Sequence, residues 1–330
     1  MDARVKTITE VAPNADQQVV ALPEAAVFDL PGWSRHHLNA VERALERWVT
    51  ADAPVGLDHG APAALVDAMR YAVLDGGKRL RPLLVLASCE ALQGNPHAAL
   101  RAACATELIH AYSLVHDDLP CMDNDVLRRG KPTVHVKFGE AQALLAGDAL
   151  QALAFELLTP DDAAIPAGLQ ARLCRLLAQA AGSAGMAGGQ AIDLASVGQK
   201  LSERQLSEMH NLKTGALLQG SVMMGAACGA PTPTQIQGLE AYGAAIGLAF
   251  QVVDDILDVT ADSATLGKTA GKDAVADKPT YVSLLGLARS QAFAQELLAR
   301  SLAALDAGGL PQNQTRALRA LAHMVVNRGA

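Results

Sequence analysis

Long segments rich in alanine and leucine, with apolar residues three and four positions apart, make up most of this 330-residue chain. The first runs from about His37 to Thr50 and places Leu38, Val41 and Leu45 on one face. This spacing is typical of a helix whose apolar face packs against other elements. The alternation of apolar and polar residues that marks β-strands is weak throughout. The chain is therefore predicted to fold as an all-α protein.

Further helices with the same spacing follow one another along the chain. We predict them in a segment ending at Leu74 and at about 82–92, 98–119, 140–158, 168–185, 202–228, 234–260, 281–306 and 315–326. The glycine-rich stretch 182–189 is interpreted as an interruption between helices. No repeat, low-complexity tract or linker divides the chain. We expect a loose N-terminal extension, 1–30, and a single domain, 31–330, in which about ten or more helices surround a central cavity.

Composition excludes several classes of protein. The net charge of −7 argues against a nucleic-acid partner, which would favour a basic stripe. The five cysteines are scattered and form no CxxC pair, so neither a disulfide framework nor a zinc site is predicted. Neither the N-terminus nor any other segment has the roughly 18 uninterrupted apolar residues of a membrane span. We expect a cytoplasmic protein with reduced thiols.

The strongest chemical signal is the segment HDDLPCMDND, residues 116–125. Its aspartates stand at the end of an apolar helix, where cations would relieve their mutual repulsion and desolvation. Mg²⁺ prefers such carboxylate oxygens and commonly bridges them to substrate phosphates. Pro120 cannot continue the helical ladder, so the chain should break there and return Asp123 toward metals held by Asp117. By itself, such a cluster would equally fit a solvated helix end.

A second acidic cluster, FQVVDDILD at 250–258, lies inside an otherwise apolar helix. Asp254 and Asp258 are one turn apart on one face, with Gln251 one turn earlier. An exposed acidic face would not be surrounded by apolar residues such as Ile246 and Phe250. The two acidic segments therefore predict two halves of one site for several metal ions.

Basic residues complete the pattern. Arginine can hold phosphate oxygens through two parallel hydrogen bonds, and lysine acts as a point charge. Each cation alone would more often be a solvated surface residue, but cations beside acidic metal-binding segments predict a metal–polyphosphate site. No GxxxxGK[ST] sequence is present, and no Ser–His–Asp set or zinc-binding group of histidines stands out. The basic residues lie in GGKRLR (76–81), RRGK (128–131), KTG (213–215), GK (267–268) and at Lys278.

These motifs, taken in order, closely resemble those of the trans-isoprenyl diphosphate synthases, specifically the bacterial farnesyl diphosphate synthases. The resemblance covers about 38–328 and implies the all-α isoprenoid-synthase fold. The spacing between Asp117 and Asp123 matches the family's longer bacterial version of the first acidic motif. The motifs are GGKRLRP (76–82), DDLPCMDNDVLRRGKPTVH (117–135), GGQAIDL (188–194), KTGALL (213–218), and FQVVDDILD (250–258) with GKTAGKDAVADKPTY (267–281).

The resemblance implies a role for each matching residue. Residues implied for the diphosphate of isopentenyl diphosphate are Lys78, Arg81, His110 and Arg129. Those implied for the allylic diphosphate are Arg128, Lys213, Thr214, Gln251, Lys268 and Lys278. The implied metal ligands are Asp117, Asp123 and Asp254, with Asp118, Asp255 and Asp258 in support. Catalysis would fall to Asp117, Asp118, Asp123, Arg128, Lys213, Asp254 and Lys268.

The implied reaction joins isopentenyl diphosphate to an allylic diphosphate, with Mg²⁺ as cofactor and Mn²⁺ as its substitute. Metal and cations would stabilise the charge on the departing diphosphate, and a dry apolar cavity would keep water from the allylic cation. No protein base for the final proton loss is evident, which leaves the released diphosphate as the acceptor. The resemblance also implies a homodimer.

The resemblance further marks Tyr112, five positions before Asp117, as the residue that stops the growing chain near fifteen carbons. Helix geometry alone would not choose Tyr112 over neighbours such as Ser113, and an ordinary aromatic packing role is the alternative. Val126 departs from the family pattern, since close relatives often carry another aspartate there. We expect no loss of activity, because Asp117, Asp118 and Asp123 are intact.

Other functions remain open alongside farnesyl diphosphate synthesis. Within the same enzyme class, the product could instead be geranyl or geranylgeranyl diphosphate. A non-catalytic regulatory subunit of a prenyl synthase would be expected to lose an acidic cluster or the phosphate-binding cations, and both are present. A terpene cyclase would not need the GGKRLRP motif for a second diphosphate substrate.

Overall fold

The computed structural model describes residues 28–52, 59–74, 76–199, 201–260 and 279–328. Its α-helices are α1 (Leu30–Trp48), α2 (Ala63–Val73), α3 (Leu80–Ala91), α4 (Pro96–Asp117), α5 (Val134–Phe138), α6 (Glu140–Leu158), α7 (Ala167–Ala181), α8 (Met186–Ala195), α9 (Glu203–His210), α10 (Ala216–Ala227), α11 (Pro233–Thr260), α12 (Tyr281–Leu285), α13 (Leu287–Ala307) and α14 (Arg316–Val326). A π-helical segment, Asn211–Gly215, joins α9 to α10. Strands β1 (Leu127–Arg128) and β2 (Lys131–Pro132) form an antiparallel pair. The predicted all-α class is confirmed.

Helix α4 forms the centre of the assembly and packs against α1, α2, α3, α6, α7 and α10. It is buried on most sides because small residues, such as Ala98, Ala102 and Ala105, let its neighbours approach closely. The side chain of Asn95 caps its first turn, and Pro96 suits the first helical position because it has no N–H to satisfy. The C-terminal end of α4 carries Asp117 to the site described below.

Three predicted boundaries were wrong in instructive ways. The stretch 182–189 does not merely interrupt helices, because α8 begins at Met186 within it. The predicted helix at 202–228 contains the π-helical segment, and the one at 281–306 breaks at Gly286, where φ is +80°. Glycine tolerates that left-handed backbone, whereas other residues rarely adopt it.

Two helices, α6 and α11, are long and apolar enough to cross a membrane by length and composition alone. Within their most apolar windows, 39% and 50% of the residues are buried inside the protein. Core helices of soluble proteins meet the same criterion, so the predicted absence of a membrane span stays a prediction. The N-terminal extension, 1–30, falls almost wholly outside the described residues, and its looseness also stays a prediction.

A buried ion pair fixes the turn that precedes α3. Arg79 donates to Oε1 of Glu107 at 2.7 Å, to Oε1 of Glu42 at 2.7 Å, and to the backbone oxygen of Val73. Its side chain is 2% exposed and that of Glu107 is 4% exposed. Arg79 also adopts a left-handed φ of +46°, which turns the chain into α3. Because the ion pair anchors Arg79, it also fixes the positions of Lys78 and Arg81 on either side.

Replacing Arg79 by methionine should lower the free energy of unfolding by about 3–5 kcal/mol, because Glu107 would keep a buried, uncompensated charge. Urea unfolding followed by circular dichroism measures this loss. Arg289→Met is the matched control, since its pair with Glu296 is exposed and should contribute nothing measurable. Equal stability losses in the two variants would contradict a stabilising role for the buried pair.

Candidate active site

A cavity of about 410 Å³ opens between α3, α4, α8 and the π-helical segment. Its lining combines a predicted metal ligand, predicted phosphate-binding cations and an apolar wall. It therefore brings together residues that lie more than 130 positions apart in the sequence. The lining residues predicted from sequence are Arg81, His110, Tyr112, Asp117, Lys213 and Thr214; apolar members include Met122, Met186 and Leu194.

The chain turns back on itself after α4, as the position of Pro120 predicts. Asp123 donates its backbone N–H to the backbone oxygen of Asp117 at 2.9 Å. Asn124 donates to the backbone oxygen of Leu119 at 3.1 Å and has a left-handed φ of +50°. The break is confirmed, and it places Asp123 beside Asp117 rather than one and a half turns further along a helix.

The carboxylate of Asp117 lies in surroundings that disfavour its charge. Burial raises the pKa of Asp117 to about 6, with Lys213 opposing the shift and the neighbouring Asp123 adding to it. A partly buried carboxylate repelled by a second carboxylate is a group that a cation stabilises. The donor chemistry at this end of α4 therefore fits a hard divalent metal ion.

The carboxylate of Asp118 is paired with Arg128. Its carboxylate, 2% exposed, accepts hydrogen bonds from Arg128: Nε lies 2.9 Å from both oxygens and Nη2 lies 2.6 Å from Oδ1. Arg128 also approaches Oδ2 of Asp125 at 3.8 Å. Burial raises the pKa of Asp118 even though Arg128 pulls it down. In this structure Asp118 thus holds Arg128 in place on β1 beside the acidic turn.

The second acidic cluster is tied to the π-helical segment by a chain of hydrogen bonds. Thr214 donates to Oε1 of Gln251 at 3.1 Å, and Gln251 donates to Oδ1 of Asp255 at 2.8 Å. The backbone N–H of Tyr281 donates to the other oxygen of Asp255, also at 2.8 Å. Asp255 and Asp258 are both buried. The predicted residues Thr214, Gln251 and Asp255 therefore form one connected network.

Lys213 links the two acidic clusters. It lines the large cavity with Asp117, and it lines a smaller polar cavity of about 70 Å³ with Gln251 and Asp255. Its Nζ lies 2.5 Å from Oδ2 of Asp193 on α8. Here α8 also approaches the backbone of the π-helical segment closely. That approach requires Gly189, because a Cβ there would lie 2.0 Å from the backbone nitrogen of Lys213.

The loop before α3 presents cations to the same cavity. Arg81 is buried, lines the cavity, and its Nε has no hydrogen-bond partner among the described residues. Burial lowers the pKa of Arg81 to about 10, so the guanidinium remains charged at neutral pH. Arg129 donates to the backbone oxygen of Gly76 at 2.6 Å, which brings it to the same loop as the exposed Lys78. A buried guanidinium with an unused donor fits an anionic ligand.

His110 lines the cavity beside these arginines. Burial holds the pKa of His110 well below its ordinary value, and the positive charges of Arg81, Arg129 and Arg128 lower it further. Its imidazole is therefore neutral at physiological pH. It offers a ligand a hydrogen bond and not a positive charge.

The six predicted metal ligands are not gathered into one cluster. Within the described ranges, no group of three or more His, Cys, Asp or Glu side chains is arranged to hold a metal ion. Asp118 holds Arg128, and Oδ1 of Asp254 lies 3.1 Å from Nη2 of Arg328. Lys268 and Lys278 lie outside the described residues.

Several residues of the site were missed by sequence reasoning. Asp193 belongs to the GGQAIDL motif, which could have suggested a role for it as the partner of Lys213. Arg79 stands in GGKRLRP, but nothing in that motif distinguishes the buried arginine from the cavity-lining one. Arg328 stacks over Phe250 at 3.9 Å and contacts Asp254, and no pattern in the sequence connects it to either residue.

The chain belongs to the polyprenyl synthetase family, whose model matches residues 62–307. It is a trans-prenyltransferase of a family that uses isoprenyl diphosphate substrates. The fold and the ordered motifs agree with this assignment.

Individual relatives differ in product. A probable farnesyl diphosphate synthase of Sinorhizobium fredii is 51% identical over 270 residues, 81% of this chain and 79% of the relative. The chloroplastic geranylgeranyl pyrophosphate synthase 7 of Arabidopsis thaliana is 44% identical over 304 residues, 91% of this chain and 84% of the relative. The crystal structure of a geranyltransferase from Helicobacter pylori, complexed with magnesium and isoprenyl diphosphate, superposes with a TM-score of 0.76 at 35% identity, covering 92% of this chain and 98% of that one.

Replacing Asp117 by asparagine should stabilise the metal-free protein above about pH 6. Because the folded-state pKa of Asp117 is raised from 3.8 to about 6, the folded protein binds the proton more tightly than the unfolded chain does. Wild type therefore loses stability as the pH rises through this window, by up to about 3 kcal/mol, and the asparagine variant does not.

Urea unfolding in EDTA, at pH values on both sides of this window, measures the difference. Asp67→Asn, at an exposed position on α2, is the control and should follow wild type. The account of Asp117 would be contradicted if its asparagine variant were no more stable than wild type at about pH 8.

Proposed function

We propose that this protein is a farnesyl diphosphate synthase. It condenses isopentenyl diphosphate with dimethylallyl or geranyl diphosphate, head to tail, and releases diphosphate. The single observation that carries this proposal is the one cavity that Arg81 of α3, Asp117 of α4 and Lys213 of the π-helical segment line together. Two separate sets of charged groups around one apolar space suit two diphosphate substrates with their hydrocarbon parts in contact.

Isopentenyl diphosphate is proposed to bind at the loop before α3. Arg81 supplies an unused Nε donor, and Lys78 and Arg129 add positive charge at the loop's rim. His110, neutral in its surroundings, contributes a hydrogen bond. This is the set of residues that the family resemblance implies for that substrate.

The allylic diphosphate is proposed to bind near Lys213 and Thr214, with Arg128, Gln251, Lys268 and Lys278 completing its site. Mg²⁺, replaceable by Mn²⁺, would be held by Asp117, Asp123 and Asp254, with Asp118, Asp255 and Asp258 in support. The raised pKa of Asp117 supports this assignment, because a bound cation would relieve the cost of its charge. The metal would neutralise charge on the departing diphosphate.

This chain's own residues contribute in three ways. Arg81 and Lys213 hold the two diphosphates apart, so that only the hydrocarbon parts meet in the cavity. Apolar residues such as Met186 and Leu194 exclude water that would otherwise capture the allylic cation. We propose the released diphosphate as the proton acceptor.

Farnesyl diphosphate is the proposed product because Tyr112, which the family resemblance marks as the chain stop, lines the cavity. Tyr112 is 9% exposed and stands on α4 five positions before Asp117, and its ring meets the ring of His116 with centroids 5.7 Å apart. The relative from Sinorhizobium fredii carries the same product in its name, whereas the Arabidopsis relative is described as a geranylgeranyl pyrophosphate synthase.

A cytoplasmic homodimer is also proposed, on the family resemblance. Leu144 and Leu145 on α6 are 47% and 53% exposed, and exposed leucines on one helix suit a contact between subunits.

Incubating the purified protein with isopentenyl diphosphate, each allylic primer and Mg²⁺, and then sizing the products, tests the proposal. We expect fifteen-carbon farnesyl diphosphate as the main product, with turnover abolished by EDTA and in Asp117→Ala. Circular dichroism checks that the variant is folded. A main product of twenty carbons would favour the geranylgeranyl alternative, and no condensation of either primer would refute the synthase function.

The same assay tests whether Tyr112 sets the length of the product. Tyr112→Ala should extend the product by at least one five-carbon unit, because it removes a ring that lines the cavity and opens space for a longer chain. Tyr112→Phe keeps the bulk and should leave the product unchanged. Truncating a buried aromatic also costs about 3–5 kcal/mol, so the assay uses protein shown to be folded. An unchanged product from folded, active Tyr112→Ala would show that another residue sets the length.

A further inference from the structure

The ring of His116 is held between α6 and the large cavity. Its Nε2 donates a hydrogen bond to the backbone oxygen of Leu144 at 3.0 Å and lies 3.9 Å from Oδ1 of Asp148. On the other side, His116 lines the cavity together with Tyr112, and the two rings meet edge to face. One side of the imidazole thus belongs to the cavity wall, while the other side is anchored to α6.

Gly147 provides the space for this ring. It is buried in α6, and a Cβ placed on it would lie 2.1 Å from Nε2 and 2.4 Å from Cδ2 of His116. Cβ atoms in proteins essentially never come within 3.0 Å of such a neighbour. Any side chain at position 147 must therefore displace the imidazole, although Gly147 is not among the described residues that line the cavity.

The displaced ring can move toward the cavity, which His116 already lines, without disturbing the core. Helix α6 packs against α4 through buried small residues, including Ala143 and Ala146. Separating the two helices would open that close-packed contact. The cavity offers free space instead, so the ring would turn into the region between Asp117 and Tyr112.

We propose that Gly147 is a specificity-determining position that never touches substrate: by leaving room for His116, it keeps open the stretch of cavity between Asp117 and Tyr112. A geranyl chain must occupy that stretch, whereas the shorter dimethylallyl group reaches less far into it. This inference rests on the proposed synthase function, and it adds to it a control over primer length exerted from α6.

A stability cycle tests the contact without relying on activity. Gly147→Ala should melt at a lower temperature than wild type, and His116→Ala in the same chain should relieve most of that loss. Gly168→Ala on α7 is the control, because its Cβ would meet nothing within 4 Å and alanine favours a helix. Additive effects of the two substitutions would overturn the inference, since residues that do not touch are expected to behave additively.

Kinetics with the two primers test the consequence. In Gly147→Ala, kcat/KM for geranyl diphosphate should fall relative to that for dimethylallyl diphosphate by roughly tenfold or more, a typical effect of one methylene-sized change in an apolar pocket. Gly147→Ala with His116→Ala should return the ratio to the wild-type value or above it. A general folding defect would lower both values together and leave their ratio unchanged.

The outcomes are distinct. An unchanged primer ratio in Gly147→Ala, or a ratio that His116→Ala does not restore, overturns the role of Gly147 while the synthase function stands. Should Gly147→Ala fail to fold, the double variant decides, because it must fold and show the primer ratio of His116→Ala. Wild-type protein that extends neither primer refutes the synthase function and, with it, the role in primer length.

Discussion

Burial of the Asp117 carboxylate is the constraint on which the rest of the site depends. Helix α4 is packed on most sides by small residues, and it delivers Asp117 to the wall of a largely apolar cavity. There the pKa of Asp117 rises to about 6 because its carboxylate is partly buried and Asp123 lies nearby. The charged carboxylate lowers the stability of the metal-free protein, and a bound cation would offset that loss. Such destabilising groups are common at functional sites.

The neighbouring elements place positively charged side chains near the carboxylate of Asp117. These cations do not neutralise its charge. Asp118 holds Arg128, and Asp193 holds Lys213, so each cation is anchored by an acid of its own. Arg81 instead lines the cavity, and its buried Nε has no hydrogen-bond partner among the described residues, whereas Arg79 pairs with Glu107 and Glu42. Within one motif, Arg79 thus fixes the loop, whereas Arg81, two positions later, is available to a ligand.

Sequence periodicity and motifs were enough to predict the all-α class, most helix positions and the break after Pro120. They predicted Arg81, Asp117, Lys213 and Thr214, because each belongs to a short motif with a clear chemical signature, whereas His110 and Tyr112 were implied by the family resemblance. They could not predict contacts between distant segments that depend on packing. The pairing of Asp254 with Arg328 is such a contact, and so is the close approach of Gly189 to Lys213. The glycine content of 182–189 suggested only an interruption between helices. In the structure, Gly189 has no side chain to keep α8 away from the π-helical segment, so the two pack closely.

The proposed function requires one cavity to hold two diphosphates beside separate sets of cations. The most direct measurement compares KM for both substrates in Arg81→Met and Lys213→Met, each shown to be folded. Losing one charged hydrogen-bond donor should raise KM by about tenfold to a hundredfold. We expect Arg81→Met to raise KM chiefly for isopentenyl diphosphate and Lys213→Met to raise it chiefly for the allylic substrate. If both variants raised KM equally for the same substrate, the assignment of two separate diphosphate-binding sites would be wrong.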